Sequence, residues 1–206
     1  MKIVFWTLLF LSLLLIGCSK QKEKSVISDN DDIFMKVPDT IVLKSALHYN
    51  HKVSLWLLKD LPYSGFVVSH YPDSSLMEKF GVLNGKKQNK FIQWFPDGHF
   101  KNVANYHLGK LHGAKKIWSV DSIHVLIAHF NYDRGKAHGE QKKWYKTGEL
   151  YKKLNLNKGK EEGIQQAFRK NGALYANYEA REGRIFGLKK SALCYGLEDE
   201  NVQYEK

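Results

Sequence analysis

The stretch GKAHGEQKKWYKTGELYKKLNLNKGKEEG, residues 135–163, decides how this chain folds. It opens on a Gly-Lys pair, reaches Trp144-Tyr145, turns at Thr147-Gly148, alternates through Leu154 and Leu156, and meets Gly-Lys again after 24 residues. The unit recurs on both sides. Gly85, Gly109, Gly135, Gly159 and Gly183 open GKKQN, GKLHG, GKAHG, GKEEG and GRIFG, with spacings of 24, 26, 24 and 24. A second marker keeps the same step: HYPDS from His70, WFPDG from Trp94, WSVDS from Trp118, WYKTG from Trp144 and FRKNG from Phe168. Two markers in register over five copies define an array in which each unit contacts its neighbours, a built surface rather than a pocketed globule.

Within a unit the pattern is that of a β-hairpin. One strand runs from the Gly-Lys corner to the aromatic pair, as in Lys90 to Phe95 or Glu140 to Tyr145. Pro96-Asp97-Gly98, Thr147-Gly148 or Asn171-Gly172 then reverses the chain, and Asp-Gly or Asn-Gly between β-rich runs is a strong hairpin signal. The return strand alternates with period two, placing Phe80 and Val82, Ala104 and Tyr106, Phe130 and Tyr132, Leu154 and Leu156, Tyr178 and Ala180 at matching positions. Turn and corner positions need residues that tolerate positive φ, which assigns structural roles to Gly85, Gly98, Gly109, Gly113, Gly135, Gly139, Gly148, Gly159, Gly163, Gly172, Gly183 and Gly187. The expected fold is all-β: an elongated single-layer antiparallel β-meander of about five 24-residue hairpins with half-repeat caps, roughly ten to twelve strands. Aromatic residues recurring at one strand position should form cross-strand ladders.

The recurring W/F-Y/F-x-x-G, then leucine, then an aromatic, then G-K-x-x-G resembles the bacterial variant of the membrane occupation and recognition nexus (MORN) repeat, over roughly residues 60–188. That resemblance implies a lipoprotein that binds other molecules, and many bacterial relatives carry an antitoxin-like label. This sequence departs from the pattern where Asn89 replaces a closing glycine and where Ser74 and Ser122 replace turn glycines. Two extra residues lie between Trp118 and Gly135, so a bulge is expected near 123–125 and the departing units should be looser.

The amino terminus sets the compartment. Lys2 precedes an apolar and small-residue run from Ile3 to Gly17 that ends in Leu15-Ile16-Gly17-Cys18. The run is short for a membrane span and fits a secretory leader. The LIGC string resembles a bacterial lipobox, which implies cleavage before Cys18 and acylation of its thiol; the alternative is an uncleaved anchor. Ser19 at the next position resembles the signal for outer-membrane retention, facing the periplasm. The expected organisation is a leader at 1–17, a flexible polar tether at 18–43, and a cap at 44–65 in which Val53, Leu55 and Leu57 alternate beside Trp56. The array follows at 66–187, then a carboxy-terminal cap and tail at 188–206. With Cys18 acylated, Cys194 has no disulfide partner and reads as a small buried side chain.

A net charge of +11 and a pI near 9.4 suit an anionic partner. Outside the cytoplasm that partner is a lipid or lipopolysaccharide headgroup, a cell-wall polymer or an acidic protein rather than nucleic acid; scattered lysines also keep a one-layer sheet from pairing at its edges. Trp94 and Trp144 with Lys142 and Lys143 form the candidate contact set, although these tryptophans could instead stack on neighbouring strands. No phosphate-binding glycine loop or nucleophile-base constellation stands out, so neither catalysis nor a cofactor is expected. Glu161 and Glu162 beside Lys158 and Lys160 read as solvated charge. Among nine histidines, His112 and His138 hold equivalent corners, while His107 with His112 and His124 with His129 lie five apart. Equivalent corners two strands apart are separated by about 9 to 10 Å, too far to share a metal ion, so no metal site is expected. The functional expectation is a membrane-anchored interaction module; the alternatives are an antidote that neutralises a partner protein and, more remotely, an envelope enzyme.

Overall fold

The computed structural model describes residues 36–188 and, by backbone, a hairpin at 195–198 and 201–204. The leader, Cys18, most of the tether and Cys194 lie outside the described residues. The chain forms one open sheet that follows sequence order through β5 (Gly65–His70), β6 (Leu76–Leu83), β7 (Lys86–Trp94), β8 (Phe100–His107), β9 (Lys110–Trp118) and β10 (Leu126–Asp133). It continues through β12 (Gly139–Trp144), β13 (Leu150–Asn157), β15 (Gly163–Phe168), β16 (Leu174–Arg181) and β17 (Arg184–Leu188). These strands pair antiparallel with their sequence neighbours, an all-β meander of hairpins. Short segments β11 (Lys136–Ala137) and β14 (Lys160–Glu161) precede the bulges that separate them from β12 and β15. The terminal hairpin is β18 (Tyr195–Glu198) with β19 (Asn201–Tyr204).

The sheet begins earlier than the polar composition suggests. Strand β1 (Ile41–Leu43) pairs with β5, and the pairing is parallel. Val37, 4% exposed, reaches the core ahead of it. The tether expected to extend to residue 43 therefore gives way to folded chain at about 37: Ile41-Val42-Leu43 is a β-branched run, and the edge of β5 would otherwise be unpaired. A second small sheet of β2 (His48–Asn50), β3 (Leu55–Leu58) and β4 (Leu61–Pro62) lies against one face of the main sheet. Here too the expectation needs correction, because Val53 is 56% exposed in a turn. Trp56 and Leu58 pack on the core, and Leu57 is buried as well. Cap residues on both parities are used because β3 is covered on both sides.

Each Gly-Lys corner is a two-residue type I′ turn. The glycine and the residue before it both have positive φ: Asn84 and Gly85 at 50° and 77°, Leu108 and Gly109 at 48° and 83°, Lys158 and Gly159 at 49° and 91°. This turn matches the right-handed twist of the strands it joins, which offsets the strain of the first, non-glycine residue. The corners also hold one another. The amide of Gly85 donates to the Tyr63 carbonyl at 2.7 Å, Gly109 to Lys87 at 2.8 Å, Gly135 to Leu111 at 2.7 Å and Gly159 to Ala137 at 2.7 Å, a spine of hydrogen bonds from unit to unit.

At the opposite edge four turns share one geometry. In Phe95–His99 the amide of Phe95 donates to the His99 carbonyl at 2.8 Å, and that of Gly98 to the Phe95 carbonyl at 2.9 Å. The same pair of bonds recurs at Tyr71–Ser75, Tyr145–Glu149 and Arg169–Ala173. Ser74 adopts φ 68° in the glycine position of the first turn, and Asn89 adopts φ 62° in place of the closing glycine. Both substituted residues preserve the backbone path rather than loosening it.

Direct cross-strand partners define the two faces. Val67, Phe80, Phe91 and Ala104 oppose one another on the inner face, where Tyr63 and Trp56 cover them. An aromatic ladder runs from Tyr49 through Trp56, Phe80 and Phe91 to Tyr106, with centroid separations of 5.0, 5.4, 5.8 and 6.1 Å. Beyond it the inner row changes character: Gln141 is 5% and Gln165 0% exposed. The Gln165 amide brackets Asn155, donating to its carbonyl at 2.7 Å and accepting from its N–H at 3.2 Å; Gln141 does the same to Asn131 at 2.8 and 3.2 Å. Each clamp sits where pairing with the preceding strand is interrupted, between β11 and β12 or between β14 and β15; there the Asn131 and Asn155 carbonyls also accept from the His138 and Glu162 amides at 2.9 and 3.0 Å, and the glutamine supplies the partner of the asparagine N–H.

Candidate functional site

The outer face is built by strand alternation. On it, Lys116 opposes His129, His129 opposes Lys142, and Lys142 opposes Lys153, so four basic side chains stand in one line across β9, β10, β12 and β13. At about 4.8 Å between strands the row spans about 14 Å. Like charges directly opposite are unfavourable in a sheet. Glu140, on the same face, relieves part of this by bonding Lys142 at 2.6 Å and Lys153 at 3.4 Å. The residual positive field registers on His129, whose pKa is held below the ordinary histidine value by burial first and then by Lys116 and Lys142, against Glu140.

A band of aromatic residues borders the row. Trp94 lies two residues beyond Ile92 and Trp118 two beyond Lys116, which puts both on the outer face. Their rings meet through Phe100, at 6.3 Å from Trp94 and 5.7 Å from Trp118. Phe100 is 47% exposed, whereas the tryptophans are half-buried. Trp144, two residues past Lys142, occupies the equivalent position further along. Trp94, Trp144 and Lys142 thus share a face. Lys143 does not: as the next residue it projects to the inner side, with its ammonium 5.8 Å from the Phe130 ring. The set of four read from sequence is split by the pleat, and Lys116, His129 and Lys153 complete the row that Lys142 belongs to. The missing signal is long-range register, because the four members of the row lie 13, 13 and 11 residues apart in sequence and become neighbours only through pairing.

The inner face carries a different environment. A groove of about 600 Å³ between the cap and the corners is lined by Tyr49, Trp56, Lys86, Lys87, Tyr106 and Lys110 among others. The Lys87 ammonium lies 4.7, 4.4 and 5.1 Å from the ring centroids of Phe80, Phe91 and Tyr106. Burial lowers its pKa, Glu78 opposes that shift and Lys44 adds to it. At the far end, Glu161 accepts a hydrogen bond from the Tyr178 hydroxyl at 2.9 Å, and burial together with that carboxylate pushes Tyr178 up to about 12. Glu161 is therefore a structural partner of the last strands, more than the solvated charge its corner position suggests.

A further cluster forms at the turn edge. The two extra residues of the third repeat make a longer loop, in which the Ser119 amide donates to the Val125 carbonyl at 2.8 Å and its hydroxyl donates to Asp121 at 2.7 Å. His124, at φ 49°, folds back onto the preceding turn. Its ring stacks with Phe95 at 4.8 Å and His99 at 4.5 Å, and Nε2 lies 2.6 Å from Asp97 Oδ2. Asp97 raises the His124 pKa, while the His99 amide and then His124 lower that of Asp97. His107 and His112, paired by sequence spacing, have ring centroids 6.0 Å apart, and His112 instead lies 3.5 Å from the Asp133 carboxylate. Asp97 and His99 come from one turn marker and His124 from the next, 25 residues away, a combination that neither spacing nor corner equivalence points to.

No protein family and no curated protein matches this sequence.

Proposed function

We propose that this chain is a non-catalytic, membrane-tethered repeat lipoprotein of MORN-like type, acylated at Cys18 and held at the envelope, whose outer sheet face binds an anionic envelope polymer or headgroup layer. The observation that supports this reading best is the line Lys116, His129, Lys142, Lys153 beside the aromatic band of Trp94, Phe100, Trp118 and Trp144. Lys142 and Lys153 are directly opposed like charges that Glu140 offsets only in part, with Lys116 on the far side of His129, and an anionic ligand would relieve the remaining repulsion. Aromatic side chains at its border suit the boundary between polar headgroups and apolar matter. Attachment through Cys18 would present this face to the envelope at high effective concentration, so modest intrinsic affinity suffices.

The test uses a soluble chain beginning at Ser19, sedimented with vesicles containing anionic phospholipid or lipopolysaccharide. Reversal of Lys116, Lys142 and Lys153 to glutamate should abolish co-sedimentation, higher salt should weaken it, and Lys143→Glu on the opposite face should leave it unchanged. Undiminished binding by the triple variant would assign the contact to the tether lysines instead. Capture of a protein partner with no vesicle binding would favour the antidote alternative. Cys18→Ser in the full precursor should block acyl labelling, and normal processing of that variant would remove the lipoprotein claim.

A further inference from the structure

We propose that Asp97, His99 and His124 form a surface site for a borderline divalent cation of the zinc class, which staples two adjacent repeats. The potential ligand atoms of the three residues lie within 4.8 Å of one another. A tetrahedral zinc with bonds of about 2.0 to 2.1 Å holds its ligand atoms about 3.3 Å apart. Asp97 Oδ2 and His124 Nε2 stand at 2.6 Å and need to open slightly, while His99, whose side chain is 64% exposed, is free to rotate inward. Two imidazoles and a carboxylate suit zinc, copper(II) or nickel(II) better than calcium or magnesium, and solvent supplies the remaining positions.

The orientation of His124 adds an independent observation. Its Nδ1 faces the Ser119 carbonyl at 3.3 Å, and a carbonyl oxygen only accepts, so Nδ1 carries the hydrogen of that bond. The nitrogen directed at Asp97 is Nε2, the one left to bind metal. A histidine that donates its second ring nitrogen to a backbone carbonyl is the arrangement found around protein-bound metals. Ser119 is itself 2% exposed, and its hydroxyl accepts from the Val125 amide at 3.0 Å, so the carbonyl is fixed from both sides of the loop. Without a metal, a proton on Nε2 bridges to the Asp97 carboxylate; coordination displaces that proton to solvent.

The location explains what the cation would do. Elsewhere in the array a tyrosine at the first turn position ties its unit to the next: Tyr71 donates to the Trp94 carbonyl at 2.8 Å, and Tyr145 to the Phe168 carbonyl at 3.0 Å. In the second repeat this position is Phe95, which has no hydroxyl to give, and it is on Phe95 that the His124 ring lies. The longer loop and the cluster replace the missing tie. The other turns of the set carry Asp73 and Ser75, Thr147 and Glu149, or Asn171 and Ala173 at the Asp97 and His99 positions, so the two-histidine arrangement belongs to this junction.

The experiment is calorimetric titration of the full chain in detergent with zinc chloride, together with cobalt(II) absorption and thermal melting. Wild type should bind one zinc per chain, give cobalt d–d bands showing nitrogen ligation, and melt at higher temperature with zinc present. His124→Ala and Asp97→Asn should each weaken binding at least about tenfold. Because His124→Ala also removes the ring stacked on Phe95, His99→Ala is the decisive variant: its exposed side chain can be removed without unfolding, and it should also lose at least about tenfold and shift the cobalt bands. His112→Ala should change nothing. Absence of stoichiometric zinc binding by wild type, or binding retained by His99→Ala with His124→Ala, would overturn the site.

Discussion

At the level of single residues, this fold relies on side chains that repair the backbone where repeats depart from a regular ladder. Gln165 is the clearest case, being fully buried and bonded to both backbone groups of Asn155. Gln165→Ala leaves the Asn155 N–H without its partner, while the Asn155 carbonyl still accepts from the Glu162 amide, and should cost about 1 to 3 kcal/mol in chemical denaturation. Gln166→Ala, next in the strand but bonded only to Asn177 at an exposed position, should stay within about 0.5 kcal/mol. If the two variants unfold alike, the clamp has no special role. Gly159 tests the corners differently: an added Cβ there would meet no atom within 4 Å, so any penalty arises from its φ of 91°. Gly159→Val should therefore destabilise by about 1 kcal/mol or more through backbone strain alone, and Lys160→Ala beside it by less than about 0.5 kcal/mol.

At the level of elements, pairing of β9, β10, β12 and β13 creates an electrostatic neighbourhood that no single strand contains. His129 reports on it. Its folded pKa lies below the ordinary value of about 6.5, so the unfolded chain binds the extra proton as pH falls through that value. The sign follows: His129 contributes no penalty above that range, destabilises the fold as pH drops through it, and levels off below the depressed folded pKa. Imidazole NMR should show His129 titrating below the ordinary histidine value, with Lys142→Ala moving it upward and a bound polyanion moving it further. No movement with Lys142→Ala would mean that burial alone sets the shift and that the basic row exerts no field. The hairpin order was legible from sequence because Gly-Lys corners and Asp-Gly or Asn-Gly turns are local signals. Face assignment in the site was only partly legible: alternation links Trp144 to Lys142 and excludes Lys143, but the alignment of Lys116 with His129 depends on a register shift between Leu126 and Ala128. The Gln clamps and the Asp97, His99, His124 cluster were hidden for the same reason, since each joins residues whose contact is made by strand pairing or loop docking.

At the level of the whole molecule, the unequal distribution of the core matters more than the regularity of the repeat. Among the described residues, the large apolar side chains that are buried, Val37, Leu57, Tyr63, Val67, Phe80, Val82, Phe91 and Phe95, all precede residue 96. Beyond it the buried apolar residues are Ala104, Ala128, Ala167 and Ala180. Burying a valine, leucine or phenylalanine side chain stabilises by about 1.5 to 3 kcal/mol, and an alanine methyl by about 0.8 kcal/mol, so each unit toward the carboxy terminus contributes less of its own stability. In an array whose units contact only their neighbours, such a gradient produces opening from the weak end rather than a single all-or-none transition. Hydrogen exchange should thus proceed fastest in β15, β16 and β17, more slowly in β10 to β13, and slowest in β5 to β8 beneath the cap. Trp56→Ala, which removes the ring that joins Tyr49 to Phe80 in the ladder, should accelerate exchange in β5 to β8 while leaving β15 to β17 nearly unchanged. Uniform protection along the sheet, or equal acceleration at both ends in that variant, would show that the array behaves as one cooperative unit and that its single layer is stabilised by the corner spine rather than by the capped core.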